Sequence, residues 1–144
     1  MNFLAIDSAS SILSIAVSKG DEVFYKEVSS EDVRLSESAM VVINNIMKNA
    51  DLKPCDLDGV LCMKGPGSFT GLRIGYSIAK GLALSLNVPF AVVPTIKDIT
   101  KDGGNYFYYL NGELEKRGFA RELLEIGTKM DFSDNKALFS GPEY

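Results

Sequence analysis

Residues 65–75, GPGSFTGLRIG, do most to limit what this chain can fold into. They follow a short apolar run, 59–63, and open a long apolar segment with helical spacing. Strand, glycine turn and helix in that order leave the first N–H groups of the helix without intrahelical partners, so such a turn can face an anion. Two phosphate motifs can be tested here. A P-loop needs Lys and then Ser or Thr after its last glycine, and Gly71 is followed by Leu72 and Arg73. A dinucleotide fingerprint needs GxGxxG, whereas Gly65, Gly67 and Gly71 give GxGxxxG, and the next apolar run ends in Pro94 with no acidic residue for a ribose. Two readings stand. Either Gly65, Gly67 and Ser68 hold an anion, or Gly65-Pro66-Gly67 is a plain turn, Ser68 or Thr70 caps the helix, and Gly71, Gly75 and Ala79 let another backbone approach.

The chain has no histidine. That excludes Ser-His-Asp and Cys-His nucleophiles, HExxH zinc sites and any metal site resting on imidazole. Chemistry here would rest on carboxylates, Lys, Tyr, hydroxyls or a partner. Cys55 and Cys62 are too few for a disulfide framework or a thiolate zinc site and read as buried, reduced thiols. At 144 residues, 46% apolar and 24% charged, the chain suits one globular domain. No apolar run reaches the roughly 18 residues of a membrane span, and residues 1–6 are strand-like without the basic flank of a signal peptide, so a cytoplasmic location is expected. A net charge of -4 gives no general attraction for a polyanion.

Runs 2–7, 12–17 and 22–28 predict an antiparallel three-strand meander, with Asp7, Ser8 and Ser10 in the first turn. These residues either bind a ligand or satisfy turn backbone groups. Residues 35–50 have helical periodicity, with Ser36 as a cap, and 59–63 reads as a buried strand. The second helix, 68–86, carries an apolar arc of roughly 200° interrupted by Gly71 and Gly75. Such girth implies contacts beyond one sheet, supplied by the first helix or by a partner. The outer edges of the two helices, around Met40, Ile43, Met47, Tyr76 and Ala83, are the candidate partner surface, and the Gly71, Gly75, Ala79 stripe would admit a second helix. A fifth strand, 90–93, completes the ribonuclease H-like lobe of actin-type folds, an α/β architecture with a mixed five-stranded sheet. Beyond residue 95, Asn111-Gly112 marks a hairpin between 105–110 and 113–117, followed by a helix over 121–130 and a final strand at 137–139. The aromatic cluster Tyr106, Phe107, Tyr108 and Tyr109 reads as hairpin packing.

The run KGPGSFTGLRIGYSIAKGLALSLNVPF closely resembles the signature of the bacterial TsaB (YeaZ) family. MNFLAIDSASSILSIAV is similar to that family's first hairpin, and RLSESAM stands where it typically has Arg-His-Ser-Glu, with Leu35 in place of the histidine. The resemblance covers about the first two thirds of the chain. It implies an actin-like ATPase fold with residues 1–94 as the N-terminal lobe and 95–144 as a reduced C-terminal subdomain. It also implies a noncatalytic subunit of the machinery that makes N6-threonylcarbamoyladenosine in tRNAs reading codons that begin with A. TsaB-like proteins pair with the catalytic subunit TsaD through their two helices, TsaE docks at that junction, and tRNA is held mainly by the partner. Carried over, the partner surface is Met40, Ile43, Met47, Gly71, Gly75, Tyr76, Ala79 and Ala83. In the superfamily the first hairpin approaches nucleotide phosphates and the acidic residue ending strand one helps order the metal, which points to Asp7, Ser8 and Ser10, beside the Gly65, Gly67 and Ser68 of the glycine turn. No intrinsic cofactor is expected, with ATP and magnesium placed at the complex interface, and the apolar helix edges leave a homodimer of the isolated chain open. The alternative is a small ATP-binding or ATP-hydrolysing protein that uses Asp7 for metal and the 65–71 turn for phosphate.

Overall fold

The structure, a computed structural model of the chain, describes residues 1–29 and 35–129. The expected strand at 137–139 lies outside the described residues. Strands β1 (Phe3–Asp7), β2 (Ile12–Lys19) and β3 (Glu22–Ser29) form the antiparallel meander, and helix α1 (Leu35–Asn49) leads to β4 (Gly59–Gly65). Helix α1 starts at Leu35, so Ser36, expected as its cap, lies within the helix. Helix α2 (Phe69–Leu86) and β5 (Phe90–Pro94) follow. The five strands make one sheet in the order β3-β2-β1-β4-β5, antiparallel through the meander and parallel from β1 to β5. This is the ribonuclease H-like sheet of the actin-like fold, and its parallel half follows from the helical crossovers.

Strand β1 is buried along its whole length, and its alternation divides the interior in two. Leu4 and Ile6 join Leu13, Ile15, Val17, Val60 and Cys62 in a core roofed by α1 and α2. Phe3 and Ala5 face the opposite way, with Ala16, Leu61, Met63 and Ala91, under Tyr108, Phe119, Leu123 and Leu124. A strand covered on both faces needs apolar residues at both parities, which is why β1 and β4 read as unbroken apolar runs.

Ser68 is the N-cap of α2, its Oγ accepting a hydrogen bond from the Gly71 N–H at 3.2 Å. The helix closes at Asn87, whose left-handed φ of 55° lets Val88 N–H return to the Ala83 carbonyl. Replacing Ser68 with alanine should lower stability by about 1 kcal/mol, read as a lower urea midpoint at unchanged slope. An unchanged midpoint would show that the cap carries no weight.

Beyond β5, strands β6 (Ile99–Asp102), β7 (Asn105–Leu110) and β8 (Glu113–Glu115) form a separate three-stranded antiparallel sheet. The Asn111-Gly112 turn joins β7 to β8 as its sequence predicts, with both residues at positive φ. Helix α3 (Ala120–Thr128) then lies across β1, β2 and β4, on the sheet face opposite α1 and α2.

Candidate functional site

The registers of the meander set up the first site. Directly opposed residues of antiparallel strands share a face, and Asp7 opposes Ser14 while Ser14 opposes Glu27. Three oxygen-bearing side chains therefore form a row across β1, β2 and β3. The N-terminus of α3 sits on this row. Gly118 N–H donates to Glu27 Oε1 at 3.3 Å, Phe119 N–H to Asp7 Oδ2 at 2.7 Å, and Ala120 N–H to Ser14 Oγ at 3.3 Å. Three successive backbone donors that the helix cannot use internally thus find three acceptors on adjacent strands, two of them carboxylates at the positive end of the helix dipole. Tyr108 Oη–H donates to the same Asp7 Oδ2 at 2.9 Å, and Ala9 N–H donates to Oδ1 at 3.1 Å.

Asp7 is 0% exposed. Burial pushes its carboxyl up to about 6 against the pull of the Phe119, Ala9 and Tyr108 donors, and the Glu27 charge adds to the rise. The Tyr108 hydroxyl is raised far above its ordinary range by burial and then by the Asp7 charge, so it remains a donor. A fully buried carboxylate already accepting from three donors does not fit a hydrated metal ion. Among the described residues no group of three His, Cys, Asp or Glu side chains is placed to hold one.

The other first-turn candidates meet the glycine turn. Ser8 and Ser10 are buried, and Ser10 Oγ accepts from the Ile12 N–H at 3.2 Å. Ser68 N–H donates to the Ala9 carbonyl at 2.7 Å. A Cβ on Gly67 would come within 2.5 Å of that same carbonyl oxygen, one on Gly71 would collide with the Ser8 carbonyl, and one on Gly75 with Ser8 Oγ. Gly65 is buried at the end of β4, and its carbonyl accepts from Thr95 N–H at 2.8 Å. The structure thus seats the β1–β2 loop on the glycine turn through the Ala9 carbonyl and the Ser68 N–H, while Asp7 and Ser10 find their hydrogen-bond partners within the loop or, for Asp7, at Tyr108 and Phe119. The Gly71 and Gly75 stripe, expected to admit a helix, admits the β1–β2 loop.

Tyr108, Ser14, Glu27 and Gly118 are site residues that the sequence reading did not single out. Their signal was faint. Tyr108 occupies one parity of an aromatic hairpin, and Gly118 stands two residues ahead of a helix whose start has no Ser, Thr, Asp or Asn cap.

On the other face, α1 and α2 lie side by side, as their apolar arcs predict. Their outer edges differ from expectation. Ile43 and Met47 are each 5% exposed, and Ala79 and Ala83 are buried with them in the core beneath α1 and α2. Gly71 and Gly75 are buried as well, and Tyr76 is half-buried, its ring edge-on to Phe90 with centroids 5.5 Å apart. Of the named partner residues Met40 is the most exposed, at 39%. The apolar surface comes instead from Val41, 58% exposed, from Phe69 and Leu84, and from the half-buried Ile74 and Ile78. A shallow groove of about 380 Å³ runs along Thr70, Arg73, Ile74, Ser77 and Ile78 of α2. A second, of about 340 Å³, lies between α1 and β3, lined in part by Val28, Glu37, Val41 and Asn45. No helix among the described residues is long and apolar enough to cross a membrane.

The family model described as "TsaD: tRNA N6-adenosine threonylcarbamoyltransferase" matches residues 29–104. The tRNA threonylcarbamoyladenosine biosynthesis protein TsaB of Bacillus subtilis is 34% identical over 74% of this chain and 46% of its own length. The Escherichia coli protein of the same name is 29% identical over 90% of this chain and 52% of its own. This chain therefore spans about half the length of the curated relatives it matches. The solved structure of YeaZ from Pseudomonas aeruginosa superposes with a TM-score of 0.65 at 17% identity, over 79% of this chain and 63% of that one, which shows a shared fold. With the signature run on β4, α2 and β5, the meander ahead of it and these matches in hand, the chain belongs to the TsaB (YeaZ) family, on the sequence ground that the TsaD family model also covers.

Proposed function

We propose that this chain is a noncatalytic subunit in the biosynthesis of tRNA N6-threonylcarbamoyladenosine, binding and orienting a TsaD-type catalytic subunit through the outer face of α1 and α2. The observation that carries this reading is the apolar surface which two adjacent helices leave uncovered, with Val41 58% and Leu84 63% exposed. Large apolar side chains left exposed on adjacent helices support a protein interface there. The closed state of Asp7 supports the noncatalytic half of the proposal, because this carboxylate, which the resemblance places like a superfamily metal ligand, is taken up by internal donors. Contact with tRNA would come through the complex, as suits a chain of net charge -4. TsaE, ATP and magnesium would act at the junction with the catalytic subunit.

The test is light scattering coupled to size-exclusion chromatography on this chain mixed with the TsaD of its own organism, with and without ATP and magnesium. A one-to-one complex without nucleotide is expected. Val41→Asp or Ile74→Asp should weaken it at least about 30-fold while leaving the circular dichroism of the free chain unchanged. Separate elution, together with ATP binding by this chain alone, would replace the scaffold with the small ATP-binding alternative. A homodimer of the free chain that the same substitutions dissolve would place both associations on one face.

A further inference from the structure

We propose that Tyr108 and the N-terminus of α3 form an internal clasp on the β1–β2 loop, and that this clasp fixes the glycine turn at the head of α2, so that lifting α3 loosens both. The inference rests on an unbroken series of contacts. Gly118, Phe119 and Ala120 give their N–H groups to Glu27, Asp7 and Ser14. Asp7 passes the constraint on within its own loop, because its second oxygen holds Ala9 N–H. Strand β7 grips the far end of the loop, with Ser11 N–H donating to the Tyr106 carbonyl at 2.7 Å and Tyr106 N–H donating to Ser11 Oγ at 2.9 Å.

The loop in turn holds the glycine turn. The Ala9 carbonyl takes the N–H of Ser68, the N-cap of α2. Gly67, Gly71 and Gly75 close around Ser8 and Ala9 without room for a Cβ. A backbone seated this closely cannot shift without moving its neighbour, since packed interiors transmit displacement and do not absorb it. Release of the α3 donors would take from the buried Asp7 carboxylate one of its three hydrogen bonds and from Glu27 and Ser14 the N–H groups of Gly118 and Ala120, so the loop loosens with the helix. By reciprocity, anything that settles on the head of α2 and orders it favours docking of α3, which begins about 50 residues after Ser68 but is joined to it through one loop.

Amide hydrogen exchange of the isolated chain, followed residue by residue by NMR, tests this independently of any partner. Gly118→Ala puts a Cβ against Ser14 Cβ, directly under the clasp, whereas Gly127→Ala meets first the flexible Leu61 side chain, at 2.7 Å, near the other end of α3. Gly118→Ala should speed exchange at Ala9 and Ser68 by about tenfold or more relative to Val60 in β4. Gly127→Ala should speed exchange in α3 and leave Ser68 as in the wild type. Faster exchange in α3 alone under Gly118→Ala, or an equal rise at Ser68 under Gly127→Ala, overturns the clasp. Should Gly118→Ala fail to fold, Ser14→Ala and Tyr108→Phe, which remove one partner without adding volume, are read by the same criterion at Ala9 and Ser68.

Discussion

Replacing Gly71 with alanine should cost this fold about 2 kcal/mol net, the reverse of what an alanine within a helix ordinarily does. In an open helical position, glycine to alanine gains about 1 kcal/mol from reduced backbone entropy in the unfolded chain and better helix propensity. Gly71 lies in the first turn of α2 with the Ser8 carbonyl against its Cα, where a methyl group would collide with backbone and no flexible side-chain tip could yield. Overpacking of that kind costs about 1–3 kcal/mol or more. Gly81 in the same helix has nothing within 4 Å of its Cβ position and is exposed. Gly81→Ala should therefore stabilise by about 0.5–1 kcal/mol. Urea unfolding of the two variants side by side decides the matter. Equal gains at both positions would mean that the β1–β2 loop does not sit where it is described, and the clasp would fall with it.

The second large effect is in pH. Folding raises the Asp7 carboxyl from 3.8 to about 6, chiefly through burial. Between those two values the folded chain binds more protons than the unfolded one, so this group's contribution to stability falls as pH rises through the window and is lowest above it. The gap corresponds to about 3 kcal/mol between roughly pH 4 and pH 7. Asp7→Asn cannot ionise and removes that slope. Its amide must also turn an N–H toward one of the donors now facing Asp7, so the variant has its own fixed cost at all pH values. The difference in unfolding free energy between wild type and Asp7→Asn should therefore change by about 3 kcal/mol across the window, with the variant gaining relative to wild type toward neutral pH. Parallel stability curves from pH 4 to pH 7 would show that Asp7 does not titrate in this way.

The frame of the sheet was legible because its signals are local. Alternating and continuous apolar runs marked the meander, β4 and β5, and Asn111-Gly112 marked the second hairpin. Strand β6 was not legible, since ITKD has polar residues at both parities and exists as a strand through its pairing with β7. The partner edges were placed too far inward for a related reason. A helical wheel gives the width of an apolar arc but not which neighbour covers each part, and α1 and α2 bury Ile43, Met47, Ala79 and Ala83 beneath themselves. At the first hairpin the sequence offered a ligand site or a satisfied turn. The satisfied turn is present, with Ala9 N–H on Asp7 and Ile12 N–H on Ser10, and the geometry adds to it a donor for Asp7 from a segment more than 100 residues later in the chain. No spacing rule reaches that far.

The place of β1 has a consequence for how the chain is made. It is the third strand of five, bonded on one edge to β2, its neighbour in sequence, and on the other to β4, more than 50 residues further on. The meander can close as soon as it is synthesised, yet β1 then presents a bare edge, apolar from Phe3 to Ile6, until α1 has been laid down and β4 arrives. Contacts at such separation are the slow ones in folding. Until then that edge is open to the matching strand of a neighbouring chain. Nascent chains stalled before residue 59 are thus the species most exposed to mispairing, and rapid docking of β4 is what makes the meander safe.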